Sequence, residues 1–157
     1  MSDSETKLAA IIKPHVGRTG GLISALRAAQ GEIGYLPEET ERVAAEAFNL
    51  SRAEVKGVIS FYTDFRRAPA GRTIVRLCAA EACQAAGGRA LQAEVERKYA
   101  LKSGETSPSG DVTLAPVYCL GLCSVAPAAM VGETLIGRAD AARIDAAVAQ
   151  SRKKAGS

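Results

Sequence analysis

The sequence predicts two halves of different class, α+β taken together. A bundle of short helices fills residues 1–72, an α/β domain fills 73–150, and a basic tail closes the chain at 151–157. Three observations predict this. Apolar residues up to Phe61 recur at helical spacing between closely set breaks, with no loop long enough to be a linker. From Thr73 onward, β-branched runs flank one amphipathic helical stretch, and a helix between strands implies a partly parallel sheet. The chain has 157 residues, 47% apolar and 24% charged, which is room for one ordinary domain or two small ones with a real core.

The first half reads as three helices. In "TGGLISALRAAQGEIGYLP", Leu22, Leu26 and Ala29 line one face, and Gly31 and Gly34 break it. In "LPEETERVAAEAFNL", Pro37 stands at a helix entrance with acids in the first turn, which the helix dipole favours. Its inward stripe is Val43, Ala44, Ala47 and Phe48. Ser51 and Glu54 then have capping-box spacing, so a third helix starts at Ser51 with Val55, Val58 and Ile59 inward. "FYTDFRRAPAGR" is the joint. Tyr62 and Phe65 there read either as core between the halves or as a binding surface with Arg66 and Arg67 at its rim.

The second half alternates. "TIVRLC" is a strand that delivers Cys78 at its end. "RALQAEVERKYAL" is a helix with Leu91, Val95 and Tyr99 on one face. "DVTLAPV" is a second strand. "AAMVGETLIGR" holds two short strands around Gly132-Glu133, and Asp140 caps a last helix. The order is β-α-β-β-β-α, or β-α-β-β-α if the segment before Cys119 only feeds the loop.

Composition excludes several functions. The formal net charge of +3 is too mild to argue for nucleic acid, and "RKK" at Arg152 to Lys154 reads as a solvated tail. There is no G-x-G-x-x-G or P-loop to cradle phosphate. "MSDSETK" is no secretory start, and "LAAII" is too short for an h-region. The uncharged stretch from Val112 to Gly132 is broken by Pro116, Gly121 and Pro127, so no membrane insertion is expected. The chain is expected in the cytoplasm, where clustered cysteines point to metal or redox chemistry. His15 is the only histidine and has no triad partner nearby, so no catalytic residue is expected.

All four cysteines fall in two tight pairs. Cys78 and Cys83 are spaced C-x4-C; Cys119 and Cys123 are spaced C-x3-C. Each pair lies where a strand gives way to a loop, so the side chains can converge. Gly87, Gly88 and Gly121 allow tight turns beside the sulfurs, letting backbone N–H groups reach thiolates. Three readings follow. The cysteines are small hydrophobes or disulfides; they hold a structural zinc, which usually prefers C-x2-C knuckles; or they hold an iron–sulfur cluster, for which wider pairs are known.

"CAAEAC" and "YCLGLCSVAPAAMVGE", with "GVISFYTDF" before them, resemble the thioredoxin-like two-iron ferredoxin subunits, over roughly Gly21 to Val148. These include the 24-kDa-type subunit of respiratory complex I and subunits of NAD-dependent hydrogenases and formate dehydrogenases. "LCAAEAC" and "VTLAPVYCLGLC" look most like the gamma subunit of the molybdenum-containing, NAD-dependent formate dehydrogenase. Complex I members more often carry a Thr-Gly-rich stretch where this chain has Ala79 to Ala82.

The resemblance implies a helical N-terminal domain followed by a thioredoxin-like [2Fe–2S] ferredoxin domain. It implies that Cys78, Cys83, Cys119 and Cys123 ligate one [2Fe–2S] cluster. The chain then carries electrons for an NAD-dependent formate dehydrogenase. FMN and NAD are expected on a larger partner subunit, and the molybdenum cofactor on a formate-oxidising subunit beyond it. The alternatives are the equivalent subunit of complex I or of an NAD-reducing hydrogenase, and, in a different class, a zinc-stabilised adaptor. Glu81, between the first two cysteines, either lowers the cluster's potential or turns out to water.

Overall fold

The computed structural model describes residues 3–155, in two compact units that divide between Pro69 and Ala70.

The first unit is helical: α1 (Asp3–Ile12), α2 (Gly21–Ile33), α3 (Glu39–Phe48) and α4 (Arg52–Phe61), with a single 3-10 turn at Lys13–His15. Leu8, Ile12, Leu26, Leu36, Val43 and Val55 are among the residues of its core. The capping box expected at α4 is complete. The Glu54 N–H donates to Ser51 Oγ at 3.2 Å, and the Ser51 N–H donates to Glu54 Oε2 at 2.8 Å.

Two expectations are corrected here. α1 is a helix that the polar start hid; Leu8 and Ile12, one turn apart, are fully buried. Gly31 does not break α2, which runs to Ile33 and ends at Gly34 in the left-handed conformation (φ 92°). A Cβ at Gly31 would meet open space, so the position asks nothing of the helix beyond a weak propensity.

The second unit is a four-stranded sheet with helices. Its elements are β1 (Thr73–Cys78), α5 (Glu81–Ala85), α6 (Gly88–Tyr99), β2 (Val112–Val117), β3 (Ala129–Val131), β4 (Thr134–Ile136) and α7 (Ala141–Ala155). The spatial order is β2-β1-β3-β4. β1 pairs parallel with β2 and antiparallel with β3, so the sheet is partly parallel as the helix between β1 and β2 requires. Leu91 and Val95 of α6 and Ile144 and Val148 of α7 pack with Val75 and Leu114 of the sheet. Tyr99 Oη donates to Asp145 Oδ1 at 2.7 Å, tying the two helices together.

α7 opens as expected, with the Arg143 N–H donating to Asp140 Oδ1 at 2.8 Å. It continues through Ala155, so exposed Arg152 and Lys153 ride on a helix; 156–157, the end of the expected tail, lie outside the described residues. Its alanines favour helix, and cations in a last turn suit the dipole.

Candidate metal centre

The parallel pairing sets where the cysteines meet. In its register Cys78 closes β1 directly opposite Val117, the last residue of β2. Both strands therefore end together, and the loops that follow leave from one edge. The Ala79 N–H donates to Val117 O at 2.8 Å, and the Cys78 N–H donates to Ala128 O at 3.0 Å. The first loop turns into α5, which carries Cys83. The second loop carries Cys119 and, in a 3-10 turn at Cys123–Val125, Cys123.

All four cysteines are free thiols. Cys78 and Cys83 are buried and share a small apolar cluster with Ala128, against which Val117, Leu120 and Leu122 pack. Cys119 and Cys123 are exposed, with their sulfurs 3.7 Å apart. The sulfurs thus stand as a covered pair and an open pair. Among the described residues, no three His, Cys, Asp or Glu side chains close on the single point one metal ion would occupy.

Backbone donors serve the sulfurs. Burial pushes the Cys78 thiol up. Against it stand the N–H of Ala80, the Cys83 thiol, and the N–H groups of Cys119 and Leu120, and together they leave Cys78 below its ordinary value. Two of these donors belong to the loop of the other pair, so the two motifs touch. Cys83 is held above its ordinary value, first by burial and then by its bond to Cys78. Cys123 is held up by its bond to Cys119 and the charge there. The Gly121 N–H reaches Cys119 Sγ at 3.4 Å.

The loops are shaped for this. Cys119 itself has φ 86°, a conformation a side chain rarely adopts, with Gly121 at φ 74° beside it. A Cβ on Gly88 would come within 2.6 Å of the Cys83 carbonyl oxygen, so α6 starts against that carbonyl only because glycine stands there.

The other singled-out residues lie elsewhere. Glu81 is exposed at the start of α5. His15 is half-buried in the 3-10 turn of the helical unit. Phe65 packs on the helical core, while Phe61 and Tyr62 are exposed. The "FYTDFRR" segment folds back onto its own unit. The Leu36 N–H donates to Arg66 O at 2.7 Å, the Arg66 N–H donates to Gln30 Oε1 at 2.7 Å, and Arg67 pairs with Glu41.

One support of the site escaped the sequence. The segment from Gly137 to Ala139 braces the loop of Cys123. The Arg138 N–H donates to Val125 O at 2.5 Å and the Ala139 N–H to Pro127 O at 2.8 Å. Arg143 Nη1 in turn donates to Arg138 O at 3.0 Å and bonds Gly137 O. Only the glycine hinted at it.

Among the described residues, no helix is long and apolar enough to cross a membrane.

Known proteins are similar to this chain. A subunit of the NADH-quinone oxidoreductase of Rhizobium meliloti (strain 1021) is 38% identical over 129 residues, 82% of this chain and 77% of the relative. NADP-reducing hydrogenase subunit HndA of Solidesulfovibrio fructosivorans is 32% identical over 120 residues, 76% of this chain and 70% of the relative. The crystal structure of an NAD+-reducing [NiFe]-hydrogenase in the air-oxidized state superposes with a TM-score of 0.66 at 28% identity. That match covers 85% of this chain but 23% of the hydrogenase chain, so this protein corresponds to a minor part of that larger one. Residues 8–152 match the thioredoxin-like [2Fe-2S] ferredoxin family, and the chain belongs to it.

Proposed function

We propose that the chain is an electron-transfer subunit of a flavin-dependent, NAD-linked oxidoreductase, and that Cys78, Cys83, Cys119 and Cys123 hold its [2Fe–2S] cluster. One observation carries the reading. Two thiol pairs, distant in sequence, meet at the end of a parallel strand pair, where Leu120 and Leu122 of one loop pack against Cys78 and Cys83 of the other. The donor set fits: a two-iron cluster takes two thiolates on each iron, and N–H···S bonds offset the charge such a centre carries.

When bound, the cluster takes up and gives back one electron at a time. The chain's own residues shape that exchange. Burial of Cys78 and Cys83 keeps water from one side of the site. The open side offers Cys119 and Cys123 beside exposed Tyr118 and half-buried Leu120 and Leu122. An apolar rim of this kind suits a partner that excludes the remaining water and stands close to the sulfurs. We place FMN and NAD on that partner.

Within this class, "LCAAEAC" and "VTLAPVYCLGLC" favour the NAD-dependent formate dehydrogenase, with a molybdenum-containing subunit oxidising formate. A second reading, a subunit of NADH-quinone oxidoreductase, is favoured by the Rhizobium meliloti relative. We place the chain in the cytoplasm, where free, clustered thiols persist.

The test is anaerobic purification of the tagged chain from its native host. Iron, acid-labile sulfide and zinc are measured, and the co-purifying chains are identified by mass spectrometry. A molybdenum-containing chain supports the formate assignment, whereas quinone-oxidoreductase subunits replace it with the second reading. Stoichiometric zinc without sulfide overturns the cluster and leaves the adaptor.

A further inference from the structure

The sheet of the second unit has two faces. α6 and α7 pack on the face that carries Val75, Leu114 and Val131. The opposite face carries Ile74, Arg76, Ala115, Met130 and Leu135, with buried Thr113 beside Ile74. In the strand register Arg76 stands between Ala115 and Met130, and Met130 stands next to Leu135. Leu135 is 53% exposed, and Ile74, Arg76, Ala115 and Met130 are half-buried. Among the described residues the Arg76 side chain makes no hydrogen bond or ion pair. A lone cation thus sits in the middle of an apolar face on the central part of a sheet.

We propose that this face docks a protein partner that presents a carboxylate within an apolar patch, and that Arg76 is the anchor. A guanidinium stays charged at any working pH. Covering it with apolar side chains alone would bury an unpaired charge, which is costly. A carboxylate pairs with its planar fork through two parallel hydrogen bonds, while Ile74, Met130 and Leu135 supply the apolar contact around it. A second copy of this chain is the wrong occupant. A two-fold contact sets a patch against itself, and none of the residues Ile74, Ala115, Met130 and Leu135 offers a carboxylate to pair with Arg76. The apolar neighbours likewise suit a protein surface better than a free anion.

The inference goes beyond the electron-transfer reading and needs from it only that a protein partner exists. Iron, sulfide and redox titration of the isolated chain test that reading separately.

The experiment uses the assembled complex from the native host, with the photo-crosslinking residue p-benzoylphenylalanine in place of Leu135. The expected product joins this chain to a partner peptide that carries Asp or Glu among apolar residues. Arg76→Asp is expected to weaken co-purification of that partner roughly thirtyfold or more, as loss of a central arginine anchor does. Replacing the crosslinked carboxylate by Lys is expected to restore assembly with Arg76→Asp. Circular dichroism checks that the variant folds. If it does not, Leu135→Asp, at an exposed position, decides by the same co-purification. A crosslink to a second copy, to this chain's own helices or to a peptide without a carboxylate overturns the proposal. So does no crosslink at all, or undiminished assembly of the folded variants.

Discussion

Gly137 lies directly against Val125, so close that a Cβ on it would come within 2.5 Å of Val125 Cγ2. Val125 ends the 3-10 turn that begins at Cys123. Gly137→Ala must therefore push that turn or be pushed by it. Overpacking of this kind costs about 1–3 kcal/mol. The expected outcome is a lower melting temperature of the second unit and, in the reduced protein, an altered paramagnetic resonance signal. An unchanged signal would show that the brace does not reach Cys123.

Cys119→Ala should empty or strongly destabilise the site, because three thiolates leave one iron open. Wild-type chain is expected to carry about two iron and two sulfide, and the variant far less. No cysteine lies in the helical unit, so its far-ultraviolet dichroism should persist. A full cluster with an unchanged signal in the variant would remove Cys119 from the ligand set.

What the sequence made legible was local. The Ser51 and Glu54 box, the strand ending at Cys78 and the Asp140 cap each rest on residues within one turn or one run. α5 spans only Glu81–Ala85, too short to show a period, and α1 hides Leu8 and Ile12 behind a polar start. For the site, the four cysteines and the neighbouring glycines were legible. The pairing of Cys78 with Val117, the open and covered thiol pairs and the contact of Gly137 with Val125 were not. Those are contacts between distant parts of the chain, and no spacing in one run of residues encodes them.

Ser51→Ala should destabilise the helical unit by about 1 kcal/mol, the usual cost of losing an N-cap. The same box gives a pH dependence. The Ser51 N–H, then its hydroxyl, holds the Glu54 carboxyl below its ordinary 4.5. A carboxyl whose folded pKa is depressed contributes stability above the unfolded value and loses it as pH falls through the folded one. Chemical unfolding below pH 4.5 should therefore show the wild-type and Glu54→Gln curves converging. A gap that stays constant to the lowest pH would show that the Glu54 charge adds nothing.

The aromatic segment at the end of α4 offers a docking surface that can be tested. Tyr62 and Arg66 read from the sequence either as internal packing or as a docking pair, and the Arg66 guanidinium reaches Gly34 O of its own unit at 3.5 Å. Truncating Arg66 would therefore remove an internal bond along with any docking contact. Phe61 is the cleaner probe. It is 79% exposed and stands edge-on to Tyr62, with ring centroids 5.2 Å apart. Tyr62 in turn meets Phe65 at 5.9 Å, and Phe65 packs on the helical core. Phe61 is thus the outer end of an aromatic row, the kind of side chain that anchors interfaces. Phe61→Ala should weaken capture of the proposed flavin-bearing partner by roughly thirtyfold to a thousandfold, equivalent to about 2–4 kcal/mol. Melting temperature and iron content should stay at wild-type values, since Phe61 supports neither the core nor the thiols. Equal capture by both proteins, measured with purified partner at matched concentrations, would show that this aromatic row faces water in the assembled complex.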